Sequence, residues 1–404
     1  MASTEATLPS PWLDAARSIQ DELVAWRRHL HRHPEVSFQE HQTTAYLAAE
    51  VERMGLTPTR RTPTGLWLDI DGGADGPLVL VRADIDALPV REATGLAFAS
   101  ENDGAMHACG HDTHMAMALG VIRLLVQHRE RIHGRVRVLF QPAEETPPGG
   151  APQMIEAGVL EGVAAAIGQH VFALGSEGVR ETGRAYIASG PVMAASGRFF
   201  LSVRGRGGHG SAPHLSVDAI AVTGEVIGAL QHIVARHLDP QKPAVVTVGT
   251  IHGGFNQNVI APEVEMTGTV RTFDPAVEER LVEHMRTIVT HTAAAFGGEA
   301  DLRYEKGYPV VVNDPATTAV MRDAAEAVLG QHGVEDATPL MGSEDFAYYA
   351  HQVPSSFLWL GAGNPAVHPV ASNHDPHFAP DEAALPLGAA ILTDAALRLL
   401  ERHR

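Results

Sequence analysis

Residues 78–86 read Leu-Val-Leu-Val-Arg-Ala-Asp-Ile-Asp, an apolar run that ends in two carboxylates. A short apolar segment of this kind predicts a buried strand over Leu78–Ala83. Further along, the pattern predicts a helix over His111–Val126, a strand over Val136–Gln141 and a strand over Ala164–Gly168. This α/β alternation is typical of a mostly parallel sheet that is covered by helices.

The same α/β pattern continues on both sides of an interruption. On the N-terminal side, residues 13–54 carry apolar side chains at helical spacing, which predicts two helices. After Tyr308, the pattern predicts a helix over Ala316–Leu329, a strand over Ser356–Gly361 and a final helix over Glu382–Glu401. We therefore expect both flanks to belong to one α/β domain.

The interruption begins near Gly190 and has a different order of elements. From there the chain is predicted to form strand, helix, strand, strand, helix and strand, which is the ferredoxin-like order. The predicted elements are Arg198–Arg204, Val217–Arg236, Ala244–Ile251, Glu263–Arg271, Ala276–Phe296 and Ala300–Glu305. The predicted organisation is an α/β domain of residues 1–189 and 308–404, with an α+β domain of residues 190–307 inserted into it.

Composition narrows the class of protein. The 404 residues include 48 acidic and 30 basic side chains, a formal net charge of −18, which argues against partners such as nucleic acids or anionic membranes. Cys109 is the single cysteine, which fits a reducing cytoplasm. The N-terminal segment lacks the basic and apolar regions of a signal peptide, and no apolar run reaches membrane-spanning length. We expect a cytoplasmic protein.

Acidic and histidine side chains gather at the ends of the predicted strands. Asp84 follows the first strand, Glu144 and Glu145 follow the strand over Val136–Gln141, and His170 follows the next. In open parallel sheets, ligands bind at the carboxyl ends of the strands. The sequence therefore predicts that these side chains converge on one site.

Cys109 and His111 are the strongest indication of a metal. In an extended loop, residues two apart face the same way, so that both side chains can point at one ion. The alternative is that Cys109 is a small buried apolar residue, but this does not account for His107 and His114 nearby. Cysteine and histidine are typical ligands of transition metals, and a metal site is the favoured interpretation.

Glu144 and Glu145 are adjacent carboxylates directly after a predicted strand and Pro142. A solvated pair on a loop is the ordinary alternative for such residues. Because neighbouring side chains diverge, we expect the two to have different roles. One would bind metal and the other would transfer protons.

Nine motifs, in order along the chain, resemble the metallo-aminoacylase and carboxypeptidase superfamily of zinc-type peptidases. The resemblance is nearest to the amidohydrolase branch, which includes hippurate hydrolases, N-acyl-amino-acid amidohydrolases and plant auxin-conjugate hydrolases. The motifs are Arg82-Ala-Asp-Ile-Asp-Ala-Leu-Pro89, His107-Ala-Cys-Gly-His-Asp112, Gln141-Pro-Ala-Glu-Glu145, Gly168-Gln-His170, Gly205-Arg-Gly-Gly-His209, Asn258-Val-Ile260, Gly268-Thr-Val-Arg271, Gly342-Ser-Glu-Asp-Phe346 and His374-Asp-Pro-His-Phe378.

The resemblance implies a role for each matched residue. Two divalent ions, zinc or manganese with cobalt as a further alternative, would be held by Cys109, His111, Glu145, His170 and His374. Glu144 matches the general base, and Asp84 matches an acid that supports the metal site from behind the ligands. On the inserted domain, which the resemblance makes a lid and dimerisation domain, His209 matches a stabiliser of the oxyanion. Asn258 and Arg271 match residues that recognise the substrate carboxylate.

The resemblance implies hydrolysis of the amide bond of small N-acyl amino acids by a homodimer or higher homo-oligomer. A dipeptidase or carboxypeptidase of the same superfamily is one alternative. A second alternative uses Cys109 as a nucleophile without metal, but it leaves Glu145, His170 and His374 without a role. A third is a non-catalytic metal-binding relative, against which the presence of Glu144 argues, because metal binding does not need it.

Overall fold

The structure is a computed structural model that describes residues 10–404. The expectation that the N-terminus is not a signal peptide falls partly on residues 1–9, which lie outside this range. The helices are α1 (Trp12–Ser18), α2 (Gln20–Arg32), α3 (His41–Arg53), α4 (His111–Gln127), α5 (Ala151–Glu156), α6 (Ala219–His232), α7 (Pro275–Ala295), α8 (Pro315–Leu329), α9 (Ala347–Ala350) and α10 (Ala384–Arg402).

The strands lie between these helices, singly or in runs of up to seven. They are β1 (Leu66–Asp71), β2 (Leu78–Asp84), β3 (Arg135–Gln141), β4 (Val163–Phe172), β5 (Leu174–Gly175), β6 (Gly178–Val179), β7 (Ala185–Ile187), β8 (Gly190–Met193), β9 (Ala195–Arg204), β10 (Gly208–His209), β11 (Ala244–Gly253), β12 (Val259–Ile260), β13 (Glu263–Thr272), β14 (Glu299–Lys306), β15 (Val311–Asn313), β16 (Val334–Asp336) and β17 (Ser355–Gly361).

The chain divides into two compact units. Of the described residues, the first unit comprises 10–190 together with Val312–Thr338 and Asp345–Arg404, and the second comprises Pro191–Val311 and Pro339–Glu344. In the sequence, the second unit is therefore inserted into the first. Over residues 10–404, no helix combines the length and the apolar character needed to cross a lipid bilayer.

The first unit is built around a seven-stranded mixed sheet. Its strand order is β1-β3-β2-β4-β17-β7-β16. The central strands β3, β2, β4 and β17 are mutually parallel, whereas β1 pairs antiparallel with β3, and β7 pairs antiparallel with β17. All seven residues of β2 are buried, as expected inside a parallel sheet covered by helices. The predicted α/β fold class is confirmed.

Helices of the first unit pack on this sheet and on one another. α10 contacts α1, α4 and α8, while α4 also contacts β2. Their apolar faces join the side chains of Val79 and Val81 in one core. α8 begins at an Asp-Pro pair: Asp314 accepts a hydrogen bond from the backbone N–H of Thr317 at 2.8 Å, and Pro315 fixes the backbone angle of the first helical residue.

The second unit holds a four-stranded antiparallel sheet of strand order β11-β13-β9-β14. α6 and α7 pack together against it. Along the chain the order is β9, α6, β11, β13, α7 and β14, which is the predicted ferredoxin-like arrangement. A separate two-stranded ladder joins β10 to β12.

Several features of the first unit differ from the sequence prediction, among them β1 (Leu66–Asp71), for which no strand is predicted. Residues 13–54 lie in three helices rather than two, because the backbone leaves helical geometry at Ile19, with φ −109° and ψ 18°. The strand predicted over Ala164–Gly168 continues to Phe172, so that His170 lies inside β4 rather than after it. The short strands β7 and β16, of three residues each, have no predicted counterpart because so few residues show no periodicity.

Candidate active site

The carboxyl ends of the central strands bring the predicted ligand residues of the first unit together. Asp84 is the last residue of β2, and it pairs in parallel register with Gln141, the last residue of β3. Glu144 and Glu145 follow in the loop after β3, and His170 lies near the end of β4. These side chains therefore meet at one edge of the sheet, where open parallel sheets bind ligands.

The five predicted metal ligands form one cluster. Cys109 Sγ lies 3.3 Å from His170 Nε2. Glu145 Oε1 lies 3.2 Å from His374 Nε2 and 3.8 Å from His111 Nε2. Their ligand atoms fall into two groups, each within 4.8 Å, of which one joins Cys109 to His111 and His170 and the other joins it to Glu145 and His374. Cys109 is the member common to both groups.

A tight turn, not an extended loop, places Cys109 and His111. Gly110 between them has φ +88°, and a Cβ atom there would lie 2.5 Å from Val171 Cγ2. Both observations require glycine. The predicted extended geometry is therefore wrong. The two side chains still reach the same cluster, because His111 is the first residue of α4.

Hydrogen bonds decide which histidine nitrogens face the cluster. His111 Nδ1 lies 2.8 Å from the backbone oxygen of Asp86, and His170 Nδ1 lies 2.8 Å from that of Val171. Because a carbonyl oxygen only accepts, both Nδ1 atoms carry the hydrogen. In the neutral rings, both Nε2 atoms then offer a lone pair toward the cluster, as metal-binding imidazoles do.

The electrostatics of the cluster favour a bound cation. His111 Nε2 and Glu145 Oε1 are buried and have no hydrogen-bond partner in the described chain. Burial lowers the pKa of His111, but Asp84, Asp86 and Glu145 outweigh it and raise that pKa to about 10. A proton is thus held where several carboxylates converge. A divalent metal fits these residues, because it would satisfy both orphaned atoms and the carboxylate charges.

The same electrostatics argue against a Cys–His nucleophile. Burial, followed by Glu145 and Glu144, raises the pKa of the Cys109 thiol well above its usual range. Burial, followed by His114, lowers the pKa of His170 well below its usual range. An activated pair needs a thiolate beside an imidazolium, which is the opposite of both shifts. A metal ion, in contrast, deprotonates a thiol that binds it.

Asp84 lies behind the predicted ligands and contacts two of the surrounding histidines. Its Oδ1 lies 2.6 Å from His114 Nδ1, and its Oδ2 lies 2.5 Å from Arg82 Nη1 and 3.7 Å from His111 Nε2. Burial raises the pKa of Asp84, but Arg82, His111 and His114 outweigh it and hold the pKa well below its usual range. The carboxylate is therefore ionised and orients the neighbouring rings.

Asp86 positions the glutamate pair, a role that has no counterpart among the predicted site residues. Its Oδ1 accepts a hydrogen bond from the backbone N–H of Glu144, and its Oδ2 accepts one from that of Glu145, both at 3.0 Å. Ser37 Oγ also donates to Oδ2, at 2.6 Å. In the sequence, the feature that could have identified Asp86 is its position two residues after Asp84, as the second acid of Asp84-Ile-Asp86.

Two residues at the cluster have the left-handed backbone that non-glycine residues rarely adopt. Ala143, before Glu144, has φ 54°, and His374 has φ 70°. Such a conformation costs about 1–3 kcal/mol and persists only where surrounding contacts impose it. Here the N–H of Ala143 donates to Glu40 Oε1 at 2.8 Å, and the N–H of His374 donates to the oxygen of Ala108 at 2.7 Å.

A group of aromatic side chains lies beside His170. The ring of Phe172 stacks on the imidazole with 4.5 Å between centroids. The buried guanidinium of Arg180 lies 5.2 Å from the Phe172 centroid and about as close to the rings of Tyr186 and Trp359. Phe172 is therefore fixed between the ring of His170, a predicted ligand, and the guanidinium of Arg180.

The three remaining predicted site residues lie in the second unit, and not all at one place. The β10–β12 ladder brings His209 and Asn258 together. His209 pairs with Val259, and the N–H of Gly210 donates to the backbone oxygen of Asn258 at 2.8 Å. Arg271 lies near the far end of β13, a ten-residue strand roughly 30 Å long. Within one chain, Asn258 and Arg271 therefore do not meet at one carboxylate.

The family model described as peptidase family M20/M25/M40 matches residues 80–398. The chain belongs to this family. The predicted relationship to the metallo-aminoacylase and carboxypeptidase superfamily is confirmed, and this M20 chain is a metal-dependent amidohydrolase.

Individual relatives of the M20 chain cover almost its whole length. N-acetyl-L-cysteine deacetylase of Bacillus subtilis is 40% identical over 391 residues, covering 96% of this chain and 90% of the relative. N-acyl-L-amino acid amidohydrolase of Geobacillus stearothermophilus is 42% identical over 325 residues, covering 78% and 86%. The crystal structure of the YXEP protein of Bacillus subtilis, a dinuclear metal-binding peptidase of the M20 family, superposes with a TM-score of 0.81 at 35% identity, covering 95% and 99%.

Proposed function

We propose that this M20 enzyme hydrolyses the amide bond of N-acyl amino acids and releases a carboxylic acid and a free amino acid. The observation that carries the proposal is the place of Glu144. Its carboxylate lies within 4.8 Å of the ligand atoms of His111 and Glu145, is almost fully buried, and is not needed to complete the five-ligand set. Two relatives are named for reactions of this type.

Two divalent cations are proposed for the cluster, held by Cys109, His111, Glu145, His170 and His374. Zinc suits the thiolate and imidazole ligands, and manganese or cobalt suits the mixed set next. When bound, such ions lower the pKa of water and polarise the substrate carbonyl. The name of the related YXEP structure supports a pair of ions rather than one.

The protein groups have the following roles in the proposed reaction. Glu144 accepts a proton from the water whose oxygen bonds to the amide carbon, and it passes that proton to the amine nitrogen as the C–N bond breaks. His209 donates a hydrogen bond to the oxyanion, and Arg271 binds the α-carboxylate of the substrate. Asp84 supports the cluster from behind through its contacts with His114 and His111, and Asn258 contributes to substrate recognition.

Residues 190–307 are proposed as a lid and dimerisation domain, within a cytoplasmic homodimer or higher homo-oligomer. β11 is an edge strand of the second unit's sheet, and Ile251 on it and Phe255 beyond it are largely exposed. An exposed edge strand with apolar side chains can pair with a second copy. His209 would then act in the partner's site.

The test of the function is a substrate screen with the metal-loaded enzyme. N-acetyl, N-benzoyl and longer N-acyl amino acids are assayed beside simple dipeptides, before and after removal of metal by a chelator. We expect turnover of the N-acyl amino acids that chelation abolishes and metal restores. Activity on dipeptides alone would favour the dipeptidase alternative, and activity that survives chelation would contradict the metal mechanism.

The test of the oligomer combines mass determination in solution with mixed subunits. His209→Ala and Glu144→Gln chains are each inactive in this proposal, and a mixed dimer contains one intact site if His209 acts across subunits. We expect part of the activity to return on mixing. Confirmed mixed dimers without recovery would place His209 in the site of its own chain.

A further inference from the structure

Two arginines share a pocket on the sheet of the second unit. Arg198 on β9 and Arg271 on β13 line it together with Phe200, Thr267 and Thr269. Arg198 pairs in register with Thr269, and Arg271 lies two residues further along β13. Because side chains two apart on a strand share a face, the two arginines are diagonal neighbours, roughly 7–8 Å apart at their backbones.

Neither arginine has a carboxylate partner in the part of the chain that the structure describes. The Arg271 guanidinium donates to Thr269 Oγ1 and to the oxygen of Val270, which are neutral groups. Burial lowers the pKa of Arg271, as expected for a cation that is half out of water and unpaired. Among residues 10–404, Arg198 makes no ion pair and no hydrogen bond through its side chain, and it is exposed.

The acid that lies opposite Arg198 on the neighbouring strand forms an ion pair with a different arginine. Glu305 on β14 lies opposite Arg198, but its carboxylate pairs with Arg303, which also covers the ring of Phe200 at 4.0 Å. On a chain with a net charge of −18, two adjacent arginines that pair with no acid of the described residues are therefore a specific feature of this face.

The shape of the pocket leaves room for a ligand. The register of β11 shifts at Gly249, between Val248 and Thr250, and a Cβ atom on Gly249 would meet only the Thr267 oxygen, at 3.8 Å. The space in front of Arg198 and Arg271 is thus not filled by β11. The pocket is about 390 Å³, enough for the amino-acid half of a small substrate.

We propose that Arg198 and Arg271 bind two carboxylates of one substrate, so that the enzyme prefers N-acyl derivatives of aspartate and glutamate to those of neutral amino acids. This inference rests on the proposed function, in which Arg271 takes the α-carboxylate. Arg198 then takes the side-chain carboxylate. Each guanidinium can bind one carboxylate through two parallel hydrogen bonds, and a dianion neutralises both neighbouring cations, whereas a monoanion leaves one.

The test compares substrates that differ only in one charge. kcat/KM is measured with the metal-loaded enzyme for N-acetylglutamate against N-acetylglutamine, and for N-acetylaspartate against N-acetylasparagine. N-acetylcysteine is a further substrate with an uncharged side chain. A charge-assisted pair predicts a tenfold to hundredfold preference for the acids. Arg198→Gln should reduce this ratio toward one. Arg204→Gln, which removes an exposed arginine from the same strand, should leave the ratio as in the wild type.

Binding without turnover gives a second measurement. Calorimetry with metal-loaded Glu144→Gln enzyme should show tighter binding of N-acetylglutamate than of N-acetylglutamine, and Arg198→Gln in that background should remove the difference. Equal kcat/KM for acid and amide forms in the wild type, or an unchanged ratio in Arg198→Gln, would overturn this inference and leave the proposed function standing. Failure to hydrolyse any N-acyl amino acid would instead overturn the proposed function.

Discussion

The cluster of proposed metal ligands in the first unit and the arginine pocket of the second unit balance their charges in opposite ways. In the cluster, Asp84 and Asp86 are fully buried, and each meets cationic or N–H partners within the protein. In the pocket, Arg198 and Arg271 meet no acid of the described chain. Because a buried charge without a partner costs several kcal/mol, the cluster must be assembled by the fold itself. The pocket is open to solvent, so its arginines can remain without an acidic partner until a ligand binds.

The largest effect is expected at Glu144, the buried group that is proposed to transfer protons. Glu144→Gln keeps the shape of the cluster and removes only the proposed base. We expect kcat to fall by about 10²–10⁴-fold while metal content, measured by elemental analysis, persists. The matched change Glu145→Gln removes a proposed ligand and should lower metal content as well. Wild-type kcat in Glu144→Gln would contradict the assignment of the base.

The next effect concerns a group of the second unit that is exposed and held by few contacts. His209 accepts hydrogen bonds from Ser211 on its own loop. His209→Ala should reduce kcat by about 10²–10³-fold, as expected on loss of an oxyanion donor, and should change the free energy of unfolding by less than about 0.5 kcal/mol. His214→Ala, at an exposed histidine nearby, is the control and should leave kcat unchanged.

Glu40, which lies beside Asp86 and next to the cluster, predicts a pH dependence of the free energy of unfolding. Burial, followed by Asp86, raises the pKa of Glu40 from 4.5 to about 7. The folded state therefore holds this proton more tightly than the unfolded chain does. Its contribution to stability is present below pH 4.5 and is lost as the pH rises through 7. At about 1.4 kcal/mol per pH unit, the difference between 4.5 and 7 amounts to about 3 kcal/mol.

Glu40→Gln removes this dependence and keeps an oxygen for the N–H of Ala143. Denaturant unfolding of the metal-free protein is measured at pH 5 and at pH 8. Relative to the wild type, the variant should be more stable at pH 8 than at pH 5, by about 2–3 kcal/mol. The same difference between variant and wild type at both pH values would show that Glu40 titrates normally.

A substitution of Arg271 tests whether the pocket binds the α-carboxylate of the substrate. Arg271→Ala should raise KM for N-acyl amino acids about tenfold to a hundredfold, the effect expected for one charge-assisted pair. It should matter far less for the corresponding C-terminal amides, which the wild type should already hydrolyse poorly. Equal wild-type kcat/KM for free acids and amides would indicate a general amidase.

The sequence predicts those parts of the molecule that depend on local pattern. β2 and α4 have strong apolar patterns and lie where predicted, and the Glu144–Glu145 pair follows its strand as expected. Asp86 is different, because its carboxylate holds backbone amides some sixty residues away, and such a contact leaves no periodic trace. The backbone of His374, with its φ of 70°, depends in the same way on a distant carbonyl.

Pairings between strands explain the remaining differences. His170 lies inside β4 because the strand continues along its parallel partner β17 to Phe172, which an apolar run ending at Gly168 does not reveal. Arg198 and Arg271 are 73 residues apart in the sequence and become neighbours only through the register of β9 and β13. Short apolar runs therefore locate strands, whereas the sets of side chains that share a face depend on pairing.

The smallest predicted effect tests whether the cluster depends on its apolar surroundings as it does on its charges. Phe172→Leu keeps an apolar side chain but removes the ring that stacks on His170. An aromatic pair contributes about 0.5–1.5 kcal/mol beyond its burial, so metal affinity, measured by competition with a chelator, should weaken about twofold to tenfold. Phe172→Tyr retains the ring and should restore the affinity. Phe200→Leu removes a ring from the second unit, far along the chain from every proposed ligand, and should have no effect. An unchanged affinity in Phe172→Leu would mean that the hydrogen bond from Nδ1 to the Val171 oxygen suffices to orient the imidazole.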